Sequence, residues 1–197
     1  MLLTLKHRVD HTHHCSEYGT PTDNLPEDSL IYFKTQVQLH LRSLNLPWAI
    51  YYTGWFSDTD FIPPLGIDIV GKTLTIVGNG NTGVSFTTRA DVANYVAYTL
   101  TNLPEDRLKN ATFRIEGEKK TLRELKPIFE QVFGGEFTIK TRDVADVEKL
   151  VREGGETAFM DSLLLITEKE GLGPHDNAVV PGFTPLNVAD TLKKYYT

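Results

Sequence analysis

The sequence has one cysteine, no long apolar run and few basic residues, and each shortage excludes a class of protein. Cys15 is the only cysteine among 197 residues, so no internal disulfide is possible and a reducing, cytoplasmic setting is expected. No stretch approaches the ~20 apolar residues of a membrane-spanning helix, and the first residues lack the apolar segment of a signal peptide. Lys and Arg number 20 against 26 Asp and Glu, a net charge of -6, so we expect neither nucleic acid nor a membrane as a partner.

The remaining composition is that of a globular protein. Hydrophobic residues make up 40% of the chain and aromatic residues 10%, which is enough for a sizeable core. Helical and strand-like segments alternate, so the predicted class is α/β. Residues 1–15 are atypical, and we expect them to be a disordered N-terminal segment; residues 16–197 are expected to form one domain. The first segment has four histidines beside Cys15 but no second half at ligand spacing, so no metal site is predicted.

The rest of the chain is organised around residues 28–56. They are predicted to form a long amphipathic helix, a tight connection near Pro47 and a buried strand. Apolar residues recur at helical spacing and are expected to face the core: Leu30, Val37, Leu41 and Leu44. Lys34 lies within that stripe, and a buried ammonium group is costly unless it is paired or used chemically. Lys34 is therefore the main candidate functional residue; the alternative is a lysine whose stem packs on the stripe while its amine reaches water.

Gly78, Gly80 and Gly83 have the G-x-G-x-x-G spacing of a dinucleotide-binding loop. That loop works only where a helix follows it directly, because the helix N-terminus binds the pyrophosphate. Here the strand-like run 84–87 follows instead, and Asn79-Gly80 favours a hairpin turn between residues 73–77 and 84–87. We therefore predict a hairpin rather than a phosphate site.

Several motifs occur in an order and spacing that resemble one known family. They are Ser16-Glu17-Tyr18-Gly19 with Asp23-Asn24, Lys34 on its helix, Leu46-Pro47-Trp48 running into Tyr52-Thr53-Gly54-Trp55-Phe56, and Gly78-Asn79-Gly80-Asn81 followed by Thr88 and Asp91-Val92-Ala93. From Ser16 onward the chain resembles the NmrA-like and isoflavone-reductase-like branch of the atypical short-chain dehydrogenases/reductases. The resemblance covers most of residues 16–134 and, more loosely, the C-terminal helices.

The resemblance implies an incomplete NAD(P)-binding Rossmann-like parallel sheet with a small C-terminal α/β substrate domain. It implies that Lys34 is the catalytic residue and faces the nicotinamide end of NADP or NAD. The implied cofactor-binding residues are Ser16, Glu17, Tyr18, Lys34, Thr53 and Gly54. The implied substrate-binding residues are Tyr52, Trp55 and Phe56. The alternative is that these aromatic residues, at the end of a strand, pack in the hydrophobic core.

Two departures from the family pattern affect the expected activity. Leu30 stands where classical members have the tyrosine of the Tyr-Lys pair. The family's first strand and glycine-rich pyrophosphate loop are not in the sequence, so we expect weak or no NADPH binding by this chain alone. An N-terminally truncated sheet would also leave an open edge, which favours self-association.

Three functional hypotheses follow. The first is an NAD(P)-dependent oxidoreductase acting on a small aromatic or apolar carbonyl or alkene, with activity reduced or lost through the missing nucleotide-binding half. The second is a non-catalytic NmrA-type regulator that senses dinucleotide and binds a protein partner. The third is a fragment of a mispredicted gene, without a function of its own.

Overall fold

The computed structural model describes residues 13–15, 17, 19–169 and 171–197. The helices are α1 (Tyr32–Ser43), α2 (Arg89–Asn102), α3 (Glu105–Leu108), α4 (Leu122–Phe133), α5 (Val144–Glu153), α6 (Ala158–Lys169) and α7 (Val188–Tyr195). The strands are β1 (His13–Cys15), β2 (Trp48–Tyr52), β3 (Trp55–Phe56), β4 (Ile67–Asp68), β5 (Thr73–Val77), β6 (Gly83–Thr87), β7 (Ala111–Arg114), β8 (Glu118–Thr121) and β9 (Thr138–Arg142). The predicted α/β class is confirmed.

The sheet formed by β1, β2 and β7 is parallel throughout and has helices on both faces. Ala49 and Tyr51 of β2 pack with Val92 and Tyr95 of α2. On the opposite face, Ile50 and Tyr52 pack against the α1 side of the sheet. Because successive strand side chains point to opposite faces, a strand covered on both sides has to be apolar along its whole length, as β2 is. This arrangement is Rossmann-like, as the sequence resemblance implies.

The other strands form two further three-stranded sheets, β3-β6-β8 and β4-β5-β9. They share one hydrophobic core with α4, α6 and α7, in which Phe86, Leu125 and Phe129 are fully buried. The start of α4 is fixed by a capping box: Thr121 accepts from the amide of Glu124, and the Glu124 carboxylate accepts from the amide of Thr121. These elements form the C-terminal α/β part of the chain.

The expectation that residues 1–15 lack regular structure is wrong for its last three residues. His13, His14 and Cys15 pair in parallel register with residues 48–50 of β2. Parallel pairing uses backbone groups, so it needs no apolar or β-branched sequence of its own, and that is why local pattern missed it. Residues 1–12 lie outside the described residues.

The prediction that the apolar stripe of α1 faces the core is wrong for three of its four residues; the fourth, Leu41, is partly buried and packs against the cluster that contains Ile50 and Tyr52. Leu30, Val37 and Leu44 are 43%, 47% and 49% exposed, and Phe33 beside them is 52% exposed. The buried side of α1 consists of polar residues, among them Gln38, because side-chain hydrogen bonds rather than apolar contacts join much of this helix to the sheet.

The predicted hairpin at Gly78–Gly83 is also wrong. β5 and β6 do form on either side of it, but β5 pairs with β4 and β9, while β6 pairs with β3 and β8. The segment therefore connects two different sheets. Asn-Gly permits the positive φ of Gly80, at 65°, without requiring that the flanking strands pair with each other.

Candidate functional site

Lys34, in the first turn of α1, lies against a buried carboxylate. Its Nζ is 3.9 Å from Oε2 of Glu17, and the two side chains are 26% and 2% exposed. A carboxylate this buried needs compensating charge or hydrogen bonds, and Lys34 supplies the nearby positive charge. Lys34 is therefore partly buried because of an ionic partner, not because of the apolar residues around it on the helix.

Glu17 is held in place by a chain of hydrogen bonds that starts on the same helix. The Thr22 hydroxyl donates to Glu17 Oε2 at 2.6 Å, and Nε2 of Gln38 donates to Thr22 Oγ1 at 2.9 Å. Because the Thr22 oxygen accepts from Gln38, its own proton is directed at Glu17. The carboxylate next to Lys34 thus has a fixed orientation.

The same Gln38 amide reaches Tyr52, one of the predicted substrate-binding residues. Gln38 Nε2 donates to the Tyr52 hydroxyl at 3.2 Å, and that hydroxyl donates to Asp23 Oδ2 at 2.8 Å. Burial raises the pKa of Tyr52, and the hydrogen bond to Asp23 raises it further. Tyr52 is fully buried, so the structure places it beneath the site as a neutral hydrogen-bond donor.

Thr53 and Gly54, predicted to bind the cofactor, have their backbone amides engaged within the chain. Both amides donate to the carbonyl of Gly19, at 3.1 and 3.0 Å. Gly54 has φ of 67°, and a Cβ on it would lie 2.0 Å from the backbone oxygen of Ser85. Only glycine fits there, because both the backbone conformation and the approach of β6 exclude a side chain. Ser16 and Tyr18, from the same prediction, lie outside the described residues.

Trp55 and Phe56 line a small cavity of about 130 Å³ together with Gly54 and Asp60. Trp55 is oriented by its indole Nε1, which donates to Thr167 Oγ1 at 3.1 Å. The structure thus brings two of the three predicted substrate-binding aromatic residues to one opening, and Tyr52 is not among the residues that line it.

Asp60 is the carboxylate of this small cavity, and sequence reasoning missed it. Its Oδ2 accepts from the amide of Phe56 at 2.7 Å, and its Oδ1 accepts from the Thr59 hydroxyl at 3.0 Å. Burial raises the pKa of Asp60, although these two hydrogen bonds oppose the shift. An Asp-containing turn after an aromatic pair is a weak signal in sequence, because Asp is common in turns.

A second and larger cavity, of about 490 Å³, lies on the other side of α6. It is bounded by the loop 24–30, which leads into α1, and by one face each of α5 and α6. No residue in its wall was predicted from the sequence as a site residue, because the wall joins segments more than 100 positions apart. Leu30 belongs to this wall and lies four positions before Lys34, in the turn that precedes α1.

The G-x-G-x-x-G segment does not fit a pyrophosphate. The amide of Asn79 donates to the Glu168 carboxylate at 3.1 Å, and a Cβ on Gly78 would lie 2.5 Å from the same carboxylate. A negative charge against the loop repels an anion, and a strand rather than a helix N-terminus follows at Gly83. The prediction that this loop is not a dinucleotide site therefore agrees with its geometry.

The part of the chain described above contains no helix long and apolar enough to cross a membrane. It also contains no group of three or more His, Cys, Asp or Glu side chains arranged to hold a metal ion. The histidine-rich segment before His13 lies outside these residues.

The parallel sheet covered on both faces, with a crossover helix between β1 and β2, is a Rossmann-like fold. No family model matches the sequence, and no curated protein is similar enough to count as a relative. Solved structures do match in three dimensions.

Leucoanthocyanidin reductase of Vitis vinifera, solved as a binary complex with NADPH, matches with a TM-score of 0.77 at 13% identity, over 98% of this chain and 70% of that one. An isoflavone reductase matches with a TM-score of 0.74 at 13% identity, over 93% and 65%. The triphenylmethane reductase of Citrobacter sp., solved with NADP(H), matches with a TM-score of 0.65 at 15% identity, over 94% and 65%. The chain thus spans about two thirds of these structures, and identities this low establish a shared fold. The isoflavone-reductase-like fold implied by the sequence is confirmed.

Proposed function

We propose that this chain is the lysine-bearing, substrate-binding part of an NAD(P)H-dependent reductase of the isoflavone-reductase-like and NmrA-like type. The substrate class we propose is a small aromatic or apolar carbonyl or alkene. The observation that carries the proposal is the pair formed by Lys34 and the buried Glu17, on the crossover helix of a fold shared with reductases solved with NADPH.

Lys34 is the proposed proton donor and acceptor of the reaction. A lysine amine is a point charge with three donors on a flexible stem, so it can reach a substrate oxygen while Glu17 anchors it from below. The reduced nicotinamide, when bound, supplies the hydride. Glu17 serves this site by positioning Lys34, since its carboxylate is buried and bonded to Thr22.

The glycine-rich segment does not fit the cofactor's pyrophosphate, because it faces Glu168 and leads into a strand. We therefore keep the expectation that this chain alone binds NADPH weakly or not at all. Calorimetric titration of the chain with NADPH tests it. A low-micromolar dissociation constant would contradict it and would require a phosphate site among these residues.

The catalytic role of Lys34 needs a protein that binds the cofactor. We would fuse the nucleotide-binding half of the isoflavone reductase ahead of β1 and follow NADPH oxidation with aromatic ketones and enones. Lys34→Ala should abolish turnover while leaving NADPH binding in place; Lys126→Ala, a half-buried lysine paired with Glu130 on α4, is the matched control. If Lys34→Ala retains full turnover, the catalytic assignment fails.

The alternative, a dinucleotide-sensing regulator that binds a protein partner, is favoured by one observation. Helix α1 exposes an apolar stripe, including Phe33 and Val37, of a kind that marks interaction surfaces. A fusion that binds NADPH yet oxidises none with any substrate, and that loses a protein partner when Phe33 is replaced by serine, would favour the regulator over the enzyme.

A further inference from the structure

The cavity of about 490 Å³ is built by two helix faces and one loop. Its size falls in the ordinary range for small-molecule sites, roughly 300–1,000 Å³. Each helix contributes residues at i, i+3 and i+4 spacing, so the wall is one continuous face of each helix. The contributing residues are Glu148, Val151 and Arg152 of α5, and Ser162, Leu165, Ile166 and Lys169 of α6.

The floor of the cavity is apolar. Leu165 is 7% exposed and belongs to the main core, and Val151 packs against that core beside it. Leu25 and Leu30 close the cavity from the loop side. A surface of this kind suits a ring-sized apolar body, because contact with it removes apolar area from water on both partners.

The charged residues that line the cavity are balanced, because Arg152 and Lys169 are matched by Glu148 and by Asp28 from the loop. Lys169 Nζ lies 2.9 Å from Glu148 Oε1, and this hydrogen bond, followed by the charge of Arg152, lowers the pKa of Glu148. Arg152 itself forms no ion pair within 4.0 Å among the residues that the structure describes. Its guanidinium therefore retains donors suited to a carboxylate or another planar anion. The chain has a net charge of -6, so attraction of an anion here would be a local property of this cavity.

We propose that this cavity binds an apolar, ring-containing organic anion, with the rings on Leu165 and Ile166 and the acidic group at Arg152. This cavity is separate from the opening lined by Trp55 and Phe56, so the inference adds a ligand site to the proposed function and does not depend on it. Binding itself requires neither Lys34 nor a cofactor.

The test compares two fluorescent probes of similar ring size on the intact chain. 1-Anilinonaphthalene-8-sulfonate is an aromatic anion, and N-phenyl-1-naphthylamine is its uncharged counterpart. We expect the anion to bind several-fold more tightly than the neutral probe. Arg152→Gln should weaken the anion about tenfold and leave the neutral probe unchanged, since removing a charge-assisted hydrogen bond affects only the charged ligand. Arg107→Gln, an exposed arginine in the last turn of α3, is the matched control and should change neither.

The probe also has to be located, because the exposed stripe of α1 offers a competing apolar surface. Amide shifts in a two-dimensional NMR titration should concentrate on Ser162, Ile166 and Lys169 rather than on Phe33 and Val37. Equal affinity for the two probes, an Arg152→Gln variant that binds the anion normally, or shifts confined to α1 would each overturn the inference. Ile166→Ser, at a partly buried position that is easier to alter than Leu165, should weaken both probes, with thermal unfolding as the check on folding.

The outcome separates this inference from the proposed function. Specific anion binding together with a Lys34→Ala fusion that turns over normally would retain the binding site and refute the catalytic role. Loss of turnover in Lys34→Ala with no Arg152-dependent binding would support the catalytic role and refute the binding site.

Discussion

The ion pair between Lys34 and Glu17 can be tested by a double-mutant cycle of stability. At 3.9 Å, two unit charges attract by about 4 kcal/mol at an effective dielectric constant of ~20. Lys34 is about a quarter exposed and loses side-chain freedom when it is held, so we expect a net coupling free energy of about 1–2 kcal/mol. The variants are Lys34→Met, Glu17→Gln and the double replacement.

Lys34→Met alone should be the most destabilising of the three, because it leaves the buried Glu17 carboxylate without its nearby cation. Glu17→Gln keeps an oxygen that accepts from Thr22, so it should cost less, and adding Lys34→Met to it should cost little more. Urea unfolding followed by far-UV circular dichroism gives the free energy of unfolding for each variant. A coupling energy below ~0.3 kcal/mol, within the usual limit of additivity, would show that the two charges do not interact and would refute the reasoning.

Three further predictions concern other parts of the site. Gly54→Ala should destabilise the protein by at least ~2 kcal/mol, because the added Cβ would lie 2.0 Å from the Ser85 oxygen at a φ of 67°; thermal unfolding within a few degrees of the parent would contradict this. The folded-state pKa of Asp60 is raised by burial, so its stabilising contribution is present below the unfolded value and is lost as pH rises through the folded value; Asp60→Asn should therefore lose less stability than the parent as the pH rises above the ordinary range of an aspartate carboxyl, measured as parallel urea curves, and an equal pH dependence would count against it. Among the described residues β1 pairs only with β2, and this edge and the exposed stripe of α1 should promote self-association. Val37→Asp should therefore lower the weight-average mass in sedimentation equilibrium relative to Val70→Asp, a replacement of an exposed loop residue; a parent protein that is monomeric at high concentration would refute this.

Much of the fold could be read from the sequence because its signals are local. Helix α4 ends at Gly134, whose φ is 67°, and helix α2 starts with Thr88 accepting from the amide of Asp91. Cap residues act on neighbouring backbone groups, so they specify a helix boundary without any tertiary contact. The apolar run of β2 likewise indicated a strand covered on both faces.

The sequence did not show which side of each helix or strand faces the core. The stripe of Leu30, Val37 and Leu44 has the spacing of a core-facing helix, yet it lies outward because Gln38 joins the opposite side of α1 to Thr22 and Tyr52. Periodicity reports which residues share a face and carries no information on what that face meets.

The candidate site, like the fold, could be predicted only in part from the sequence. Lys34 was identified from its position in a pattern, and the structure adds the buried Glu17 as the reason for its partial burial. Asp60 gave only a weak sequence signal, because aspartate is common in turns. The cavity lined by Arg152 gave none, because it depends on side chains brought together from distant segments. The roles of Ser16 and Tyr18 in cofactor binding stay predictions.

The sequence by itself thus determined the α/β class and the one lysine on which the proposed chemistry depends, because these rest on local propensity and residue type. The tertiary structure alone decided which strands pair, which side of α1 is buried, and where the cavities lie. Those features depend on contacts between residues far apart in the chain, and such contacts produce no periodic pattern in the sequence of either segment.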